Sequence, residues 1–234
     1  QEQPRGAMLA VWAPASEVEP RLGSDAAIAG LNGPELTVVA GSVPALASLE
    51  ADFGSKGIAC RRLATSHAFH SPMMDGVLPP FREALAKVQF APPETLWVSC
   101  LTGDWITPAQ AVDPEYWLQQ LRQPIRFSDG VRLLSRDAGR VMLEVGPGRT
   151  LSTVVRQHRD RPAEQVVVTS LGPDPERDSE AILEAAARLW TAGVPVDWLG
   201  LRGGTAGRRV PLPTYPFERK RCWIEPLPIA EPAG

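Results

Sequence analysis

Two of the three histidines of this chain, His67 and His70, fall within one short segment, TSHAFHSPMMD at 65–75. Imidazole titrates near neutral pH, so it can take a proton from a nucleophile and return it later in a reaction. A serine nucleophile on a Gly-x-Ser-x-Gly turn does not occur in the 234 residues. The segment therefore predicts a catalytic base whose serine partner lies outside this chain.

The spacing His67-x-x-His70 has two other interpretations. A zinc site needs further ligands, but His158 lies far along the chain in a basic context, and no cluster of carboxylates surrounds the segment. We therefore predict no metal here. A surface or satisfied core histidine without a chemical role stays open as the second alternative.

Composition sets limits on function. The chain has 44% apolar residues and a net charge of -3 at pH 7, which argues against nucleic acid as its main partner. Several basic residues crowd the C-terminal part, without the aromatic stacking pattern of a nucleic-acid binder, and are predicted to lie on an acidic protein surface. They are Arg202, Arg208, Arg209, Arg219, Lys220 and Arg221.

Cysteine usage and hydropathy indicate the compartment. Cys60, Cys100 and Cys222 are scattered and odd in number, which predicts neither a disulfide framework nor a zinc ribbon and favours a reducing cytoplasm. No apolar run of about 18 residues and no leader occur, so no membrane association is predicted. The chain lacks an initiator methionine and enters a strand-like segment at once, which predicts that it is part of a longer protein.

Residues 1–66 are predicted to form one small subdomain. Apolar and β-branched runs indicate strands, and Pro14 and the Ser-Val-Pro of 42–44 indicate the starts of two intervening helices. The resulting order, βαββαβ, matches a ferredoxin-like unit. The predicted strands span 7–13, 26–32, 36–41 and 58–64.

Residues 67–171 alternate between helical and short strand patterns, which predicts an α/β layer with parallel strands. The Gly146-Pro147-Gly148 turn leads from a strand to a helix, where free amides could face a ligand, although structural packing explains it at least as well. The predicted helices are 72–88, 116–121, 128–136 and one from 149; the predicted strands are 96–100, 141–145 and 166–171.

Residues 172–234 are predicted to be a linker. They begin with the breaker cluster GPDPERD, contain one amphipathic helix at 180–192, and continue as a segment rich in proline, arginine and aromatic residues. Such a segment is too proline-rich for a helix or a central strand and too apolar for a free tail. It is expected to be extended and to dock on protein surface, with Tyr215, Phe217 and Trp223 as anchors.

Three motifs together resemble the acyltransferase domain of modular polyketide synthases and the linker that follows it. They are HAFHSPMMD at 67–75, EVGPGRTL at 144–151 and LPTYPFERKRCW at 212–223. The resemblance covers nearly the whole chain. It implies an α/β fold of the malonyl-CoA:acyl-carrier-protein transacylase type, with a ferredoxin-like subdomain, the C-terminal part of an α/β-hydrolase-like subdomain, and an extended linker.

The resemblance also implies a function. A serine, expected in a missing N-terminal acyltransferase segment, would carry malonyl from malonyl-CoA to the phosphopantetheine thiol of an acyl carrier protein. No bound cofactor is expected, and the linker would reach a ketosynthase domain. His70 matches the base, and a backbone carbonyl, assigned to Gln120, would fix its tautomer. His67 and Phe69 match the positions that select malonyl, since the Phe69 ring would fill the space of an α-methyl branch.

Two alternatives from other classes stay open. The chain could be a structural or docking module that has the shell of an acyltransferase but no catalysis. It could also be an editing hydrolase of the same fold, in which water replaces the carrier thiol. Loading of a carrier, release of free acid, or neither would distinguish the three.

Overall fold

A computed structural model describes residues 3–204, 207, 210–218 and 220. Its first part is an antiparallel sheet of four strands in the order β2-β3-β1-β4. The predicted order of elements, βαββαβ, is the observed one, and every strand end lies within two residues of its predicted position. The strands are β1 (Ala7–Val11), β2 (Ala26–Gly33), β3 (Leu36–Gly41) and β4 (Cys60–Arg62).

Two helices, α1 (Ala15–Val18) and α2 (Val43–Ser55), cover one face of this sheet. Ser42 ends the extended strand and starts α2, because its side chain accepts the backbone N–H of Ala45 over 3.3 Å. Alternation along the strands and helical spacing along α2 bring apolar side chains into one buried cluster. Its members include Leu9, Val11, Val18, Val39, Leu46, Leu49 and Phe53.

The second face of the sheet buries smaller side chains. Ala29, Val38 and Ala40 form a cluster there with Ala68, which belongs to the histidine-bearing segment. Because successive strand residues point to opposite faces, Val39 packs under the helices while its neighbours support this segment. The sheet is therefore the platform of the candidate site.

Four helices follow the platform: α3 (Leu78–Leu85), α4 (Pro108–Val112), α5 (Pro114–Arg122) and α6 (Phe127–Leu134). The helix predicted over 72–88 is a 3₁₀ turn at Pro72–Val77 followed by α3, since Pro79 and Pro80 cannot donate backbone hydrogen bonds. Helix α4 was not predicted, although Thr107 and Gln110 form a capping box that the sequence contains.

The strand predicted at 96–100 was wrong. The chain reverses directly after Val98, where the Ser99 side chain accepts the N–H groups of Leu101 and Thr102. Gly103 then takes a φ of +71°, which a residue without Cβ adopts readily. Only an isolated bridge between Val98 and Trp105 remains of the expected strand.

A second, parallel sheet contains β5 (Met142–Glu144) and β6 (Val167–Thr169), joined by α7 (Thr150–Gln157). Helix α8 (Asp178–Thr191) packs against β6. The strand–helix–strand order and the parallel pairing are confirmed for 141–171, whereas the earlier part of the predicted alternation lacks its strand. The chain thus has a mixed α/β fold.

The chain divides into two units between Val196 and Asp197. The second unit begins with the short helix α9 (Trp198–Leu201), which was not predicted; residues 210–218 form neither helix nor strand. Cys222, Trp223, Arg208, Arg209, Arg219 and Arg221 lie outside the described residues. The division at 66 and 171 stays a prediction. No helix in the described part of the chain is long and apolar enough to span a membrane.

Candidate active site

The segment that carries His70 is fixed to the platform by a close backbone approach. Ala68 is fully buried, and the N–H of Gly6 donates to the Ser66 carbonyl over 3.1 Å. A Cβ atom on Gly6 would lie 2.7 Å from the Ala68 Cβ. Glycine is therefore required at position 6 for the segment to reach its place on the sheet.

Ser71 closes the turn that presents the candidate base. Its buried hydroxyl donates to the Ala68 carbonyl over 2.6 Å and accepts the N–H of Met73 over 3.3 Å. The two residues between Ala68 and Ser71 stand at the tip of the turn, where Phe69 is 44% exposed and His70 is half-buried. Ser71 and Ala68 therefore both hold His70 in its position.

His70 has an unusual backbone conformation. Its φ of +57° is the only positive value at a non-glycine position among the described residues. For a residue with a Cβ this left-handed region costs about 1–2 kcal/mol. Such strain persists only where the surroundings hold the residue in place, and it is common at functional sites.

The partner of His70 is a carbonyl released at the end of α5. Gln123 ends the helix with a ψ of 160°, the extended value that a residue before proline favours, and Pro124 follows it. The next residue, Ile125, pairs with the edge of β2 through bonds to Ala29 and Leu31 of 2.9 and 2.7 Å. The Gln123 carbonyl is thus turned out of the helix and fixed against the sheet.

The His70 Nδ1 lies 3.0 Å from the Gln123 carbonyl oxygen. Since a carbonyl can only accept, the neutral ring must carry its proton on Nδ1, which leaves a lone pair on Nε2. No hydrogen bond to Nε2 is present among the residues that the structure describes. An imidazole in this tautomer is ready to act as a base through Nε2.

The assignment of the acceptor to Gln120 needs correction, because the bonded carbonyl is that of Gln123, one helical turn further on. Burial lowers the pKa of His70 below its usual value, and the carbonyls of Gln123 and Gln120 partly offset this. Both carbonyls therefore act on the ring, and the Gln123 carbonyl is the one that lies 3.0 Å from Nδ1. A lowered pKa favours the neutral ring, which is the form that a base requires.

The two predicted selectivity residues lie beside the base. The rings of His67 and Phe69 are 6.0 Å apart, and His67 Nδ1 lies 2.8 Å from the Ser66 hydroxyl. Phe69 is 44% exposed in this chain.

The amides that follow the Gly-Pro-Gly turn have acceptors within this chain. The N–H groups of Leu151 and Ser152, at the start of α7, donate to the Glu144 carboxylate over 3.0 and 2.8 Å. Burial tends to raise the pKa of Glu144, but these bonds lower it below its usual value. Both amides are therefore occupied by a side chain of the same chain, which favours packing over ligand binding at this turn.

The third histidine, His158, is 3% exposed and lies in a different environment. Its Nδ1 accepts the N–H of Asp160 over 3.3 Å, and its Nε2 lies 2.9 Å from the Ser128 hydroxyl. An N–H donor at Nδ1 places the ring proton on Nε2. His158 therefore donates to Ser128 and cannot activate it as a nucleophile.

The two described cysteines are not activated thiols. Cys60 and Cys100 are half-buried, and burial raises the pKa of both thiols. A protonated thiol is a weak nucleophile. Among the described residues no three histidine, cysteine or carboxylate side chains converge as a metal site would require.

Comparison with known proteins shows the family of this chain. The profile described as the acyl transferase domain matches residues 1–196. A polyketide synthase of Mycobacterium bovis, phenolphthiocerol synthesis polyketide synthase type I Pks15/1, is 41% identical over 221 residues, 94% of this chain. Mycobacterium tuberculosis Pks1, whose name carries the word "inactive", has the same identity and coverage. The chain spans only 10% and 14% of these two relatives.

A solved structure, the acyl transferase domain of SpnD in complex with 2-(pent-4-yn-1-yl)malonyl, is similar to this chain with a TM-score of 0.77 and 36% identity. The match covers 81% of this chain and 47% of that one. The similarity therefore extends over most of the present fold and about half of the larger one.

Proposed function

The chain belongs to the acyl transferase domain family, and we propose that it supplies the general base of an acyltransferase in a polyketide synthase. In this proposal the enzyme moves a malonyl unit from coenzyme A to the phosphopantetheine thiol of an acyl carrier protein. One observation carries it: the Gln123 carbonyl holds the Nδ1 proton of His70 and leaves Nε2 as the basic atom.

The proposed reaction has two half-reactions. A serine from a segment outside these 234 residues attacks the thioester carbonyl, and His70 Nε2 takes the serine proton. Collapse of the tetrahedral intermediate breaks the C–S bond, and the proton passes from Nε2 to the coenzyme A thiolate. The carrier thiol then attacks the serine ester, gives its proton to Nε2, and the serine oxygen recovers that proton as it leaves.

The proposed acyl group is malonyl, because an exposed phenylalanine stands next to the base. At this position the Phe69 ring would fill the volume that an α-methyl branch needs. The SpnD domain was solved with a malonyl group that carries an α-substituent, so such a substituent fits in one similar domain. Phe69 and His67 are the residues that we propose for selectivity.

The proposed partners are the N-terminal acyltransferase segment, the carrier protein and a ketosynthase domain reached through residues 172–234. Residues 1–66 would be the ferredoxin-like subdomain, and 67–171 the C-terminal part of an α/β-hydrolase-like subdomain. No cofactor is proposed beyond malonyl-CoA as substrate and phosphopantetheine on the carrier. We also propose a cytoplasmic location, because the scattered cysteines favour a reducing compartment.

The test is intact-protein mass spectrometry under denaturing conditions, with malonyl-CoA and the N-terminal segment present. We expect a malonyl adduct on the segment with the serine, and formation of this adduct about 10²–10⁴-fold slower in His70→Ala. Circular dichroism of wild type and His70→Ala, which should agree, controls for loss of the fold. Equal rates in wild type and His70→Ala would refute the proposal.

A non-catalytic docking module is the second candidate, because one relative carries the word "inactive" in its name. The same measurement decides between the two. If the serine-bearing segment binds this chain but gains no malonyl group, the module is the correct description.

A further inference from the structure

We propose that the ion pair between Asp75 and Arg122 is a positioning pair, which holds the end of α5 against the His70 turn and thereby keeps the ring proton of His70 on Nδ1. The importance of this proton for catalysis rests on the proposed function of His70 as the base. The positioning itself is a property of the fold and can be tested without any reaction.

The pair joins the same two segments as the His70–Gln123 bond. Asp75 lies in the 3₁₀ turn that begins directly after Ser71, and Arg122 is the last residue of α5, next to Gln123. The Arg122 Nε donates to an Asp75 carboxylate oxygen. The pair therefore ties the last turn of α5 to the segment that follows the His70 turn.

The strength of the pair fits a local role. The Arg122 side chain is 23% exposed and that of Asp75 is 58% exposed. Pairs this exposed contribute at most about 1 kcal/mol to global stability. That amount is comparable with the net value of the single hydrogen bond that fixes the ring, about 0.5–1.5 kcal/mol. Loss of the pair can therefore release the His70 ring while the chain stays folded.

A second ion pair on the same helix provides a matched control. Glu115, in the first turn of α5, pairs with Arg82 of α3. At a rise of about 1.5 Å per residue, Glu115 and Arg122 are about 10 Å apart along the helix axis. Both pairs tie α5 to the preceding segment, but only the pair at Arg122 borders the Gln123 carbonyl.

The experiment is ¹⁵N NMR of the histidine rings in the full chain at about pH 8, where neutral imidazole dominates. In Asp75→Asn and Arg122→Gln we expect the ratio of Nδ1–H to Nε2–H tautomer at His70 to fall about five-fold or more, as loss of one hydrogen bond implies. In Asp75→Glu, which keeps the carboxylate, this tautomer ratio should fall less than in Asp75→Asn. His158, whose bonds set the opposite tautomer, is the internal reference and should not change.

An unchanged His70 tautomer in both Asp75→Asn and Arg122→Gln would overturn the proposal. An equal change in Arg82→Gln or Glu115→Gln would also overturn it, since the effect would then come from general loosening of α5. Should Asp75→Asn fail to fold, Arg122→Lys, which keeps the charge but lacks the Nε donor, answers the same question. A tautomer shift without acyl transfer in the wild type would support the positioning pair and refute the proposed function alone.

Discussion

The turn at His70 and the pocket at His158 contain the same ring with opposite proton positions. Burial lowers the pKa of both histidines, yet a carbonyl bonds Nδ1 of one and an N–H bonds Nδ1 of the other. His70 keeps a lone pair on Nε2, whereas the Nε2–H of His158 donates to the Ser128 hydroxyl. The polarity of one backbone partner, more than burial, separates a candidate base from a structural histidine.

The backbone around the two rings also differs. His70 stands at the tip of a strained turn, whose position depends on Ser71 and Ala68. His158 lies at the C-terminal end of α7, where it joins the buried surfaces of α6 and α7. The turn therefore presents the His70 side chain at the surface, whereas the His158 side chain is packed between α6 and α7.

The largest expected effect is on stability at His158. His158→Ala removes one buried and one partly buried hydrogen bond and leaves a cavity, so we expect the free energy of unfolding to fall by about 3 kcal/mol. Urea unfolding followed by circular dichroism measures it. His70→Ala, as the control, should lose about 1 kcal/mol or less, since one partly exposed bond disappears. Similar losses at both sites would break the comparison.

The next effect concerns the exposed ring at the turn. Phe69→Ala opens the volume beside His70, and we expect the preference for malonyl-CoA over methylmalonyl-CoA to fall about ten-fold, within the range that a single steric contact supplies. Competition between the two thioesters, read by mass of the loaded serine segment, measures it. Because Phe69 is exposed, stability should change little; a large stability loss without change in preference would show that the ring serves packing.

The third prediction concerns acid. Protonation of His158 should lower the stability of the chain, but by less than the substitution of His158 does. The folded-state pKa of His158 is lowered, chiefly by burial and further by Arg132 and Arg159, with Asp160 in opposition. Its contribution to stability is then full above the unfolded pKa, about 6.5, and is lost as the pH falls through the folded value.

The measurement is urea unfolding at about pH 7.5 and 5.5, chosen to bracket the unfolded pKa. Wild type should lose stability on acidification, and His158→Gln, which keeps a donor for Ser128, should lose less. Protonated His158 would have to give up the bond from the Asp160 N–H, since both ring nitrogens would then be donors. An identical pH dependence in the two proteins would show that other groups dominate the acid response.

Much of the fold followed from local patterns, and the site followed only in part. The βαββαβ order was predictable because alternating strands, Pro14 and the Ser42 cap act locally. The HAFH segment singled out His70 as the candidate base, a role that stays a proposal, whereas the acceptor was assigned to Gln120 although the Gln123 carbonyl lies at hydrogen-bond distance from the ring. Pro124 was the overlooked signal, since the residue before proline leaves the helix and frees its carbonyl. The pairing of Arg122 with Asp75, 47 residues apart, has no such local signature.

The smallest effect measures the strain that the turn stores. His70→Gly and His70→Ala both delete the ring, but only glycine adopts a φ of +57° without cost. We therefore expect His70→Gly to be about 0.5–1 kcal/mol more stable than His70→Ala in urea unfolding. At His158, where φ is -71°, the order should reverse, with alanine the more stable replacement. A higher stability for alanine at position 70 would mean that the turn relaxes once the ring is gone, and that the bond to Gln123 imposes the left-handed backbone.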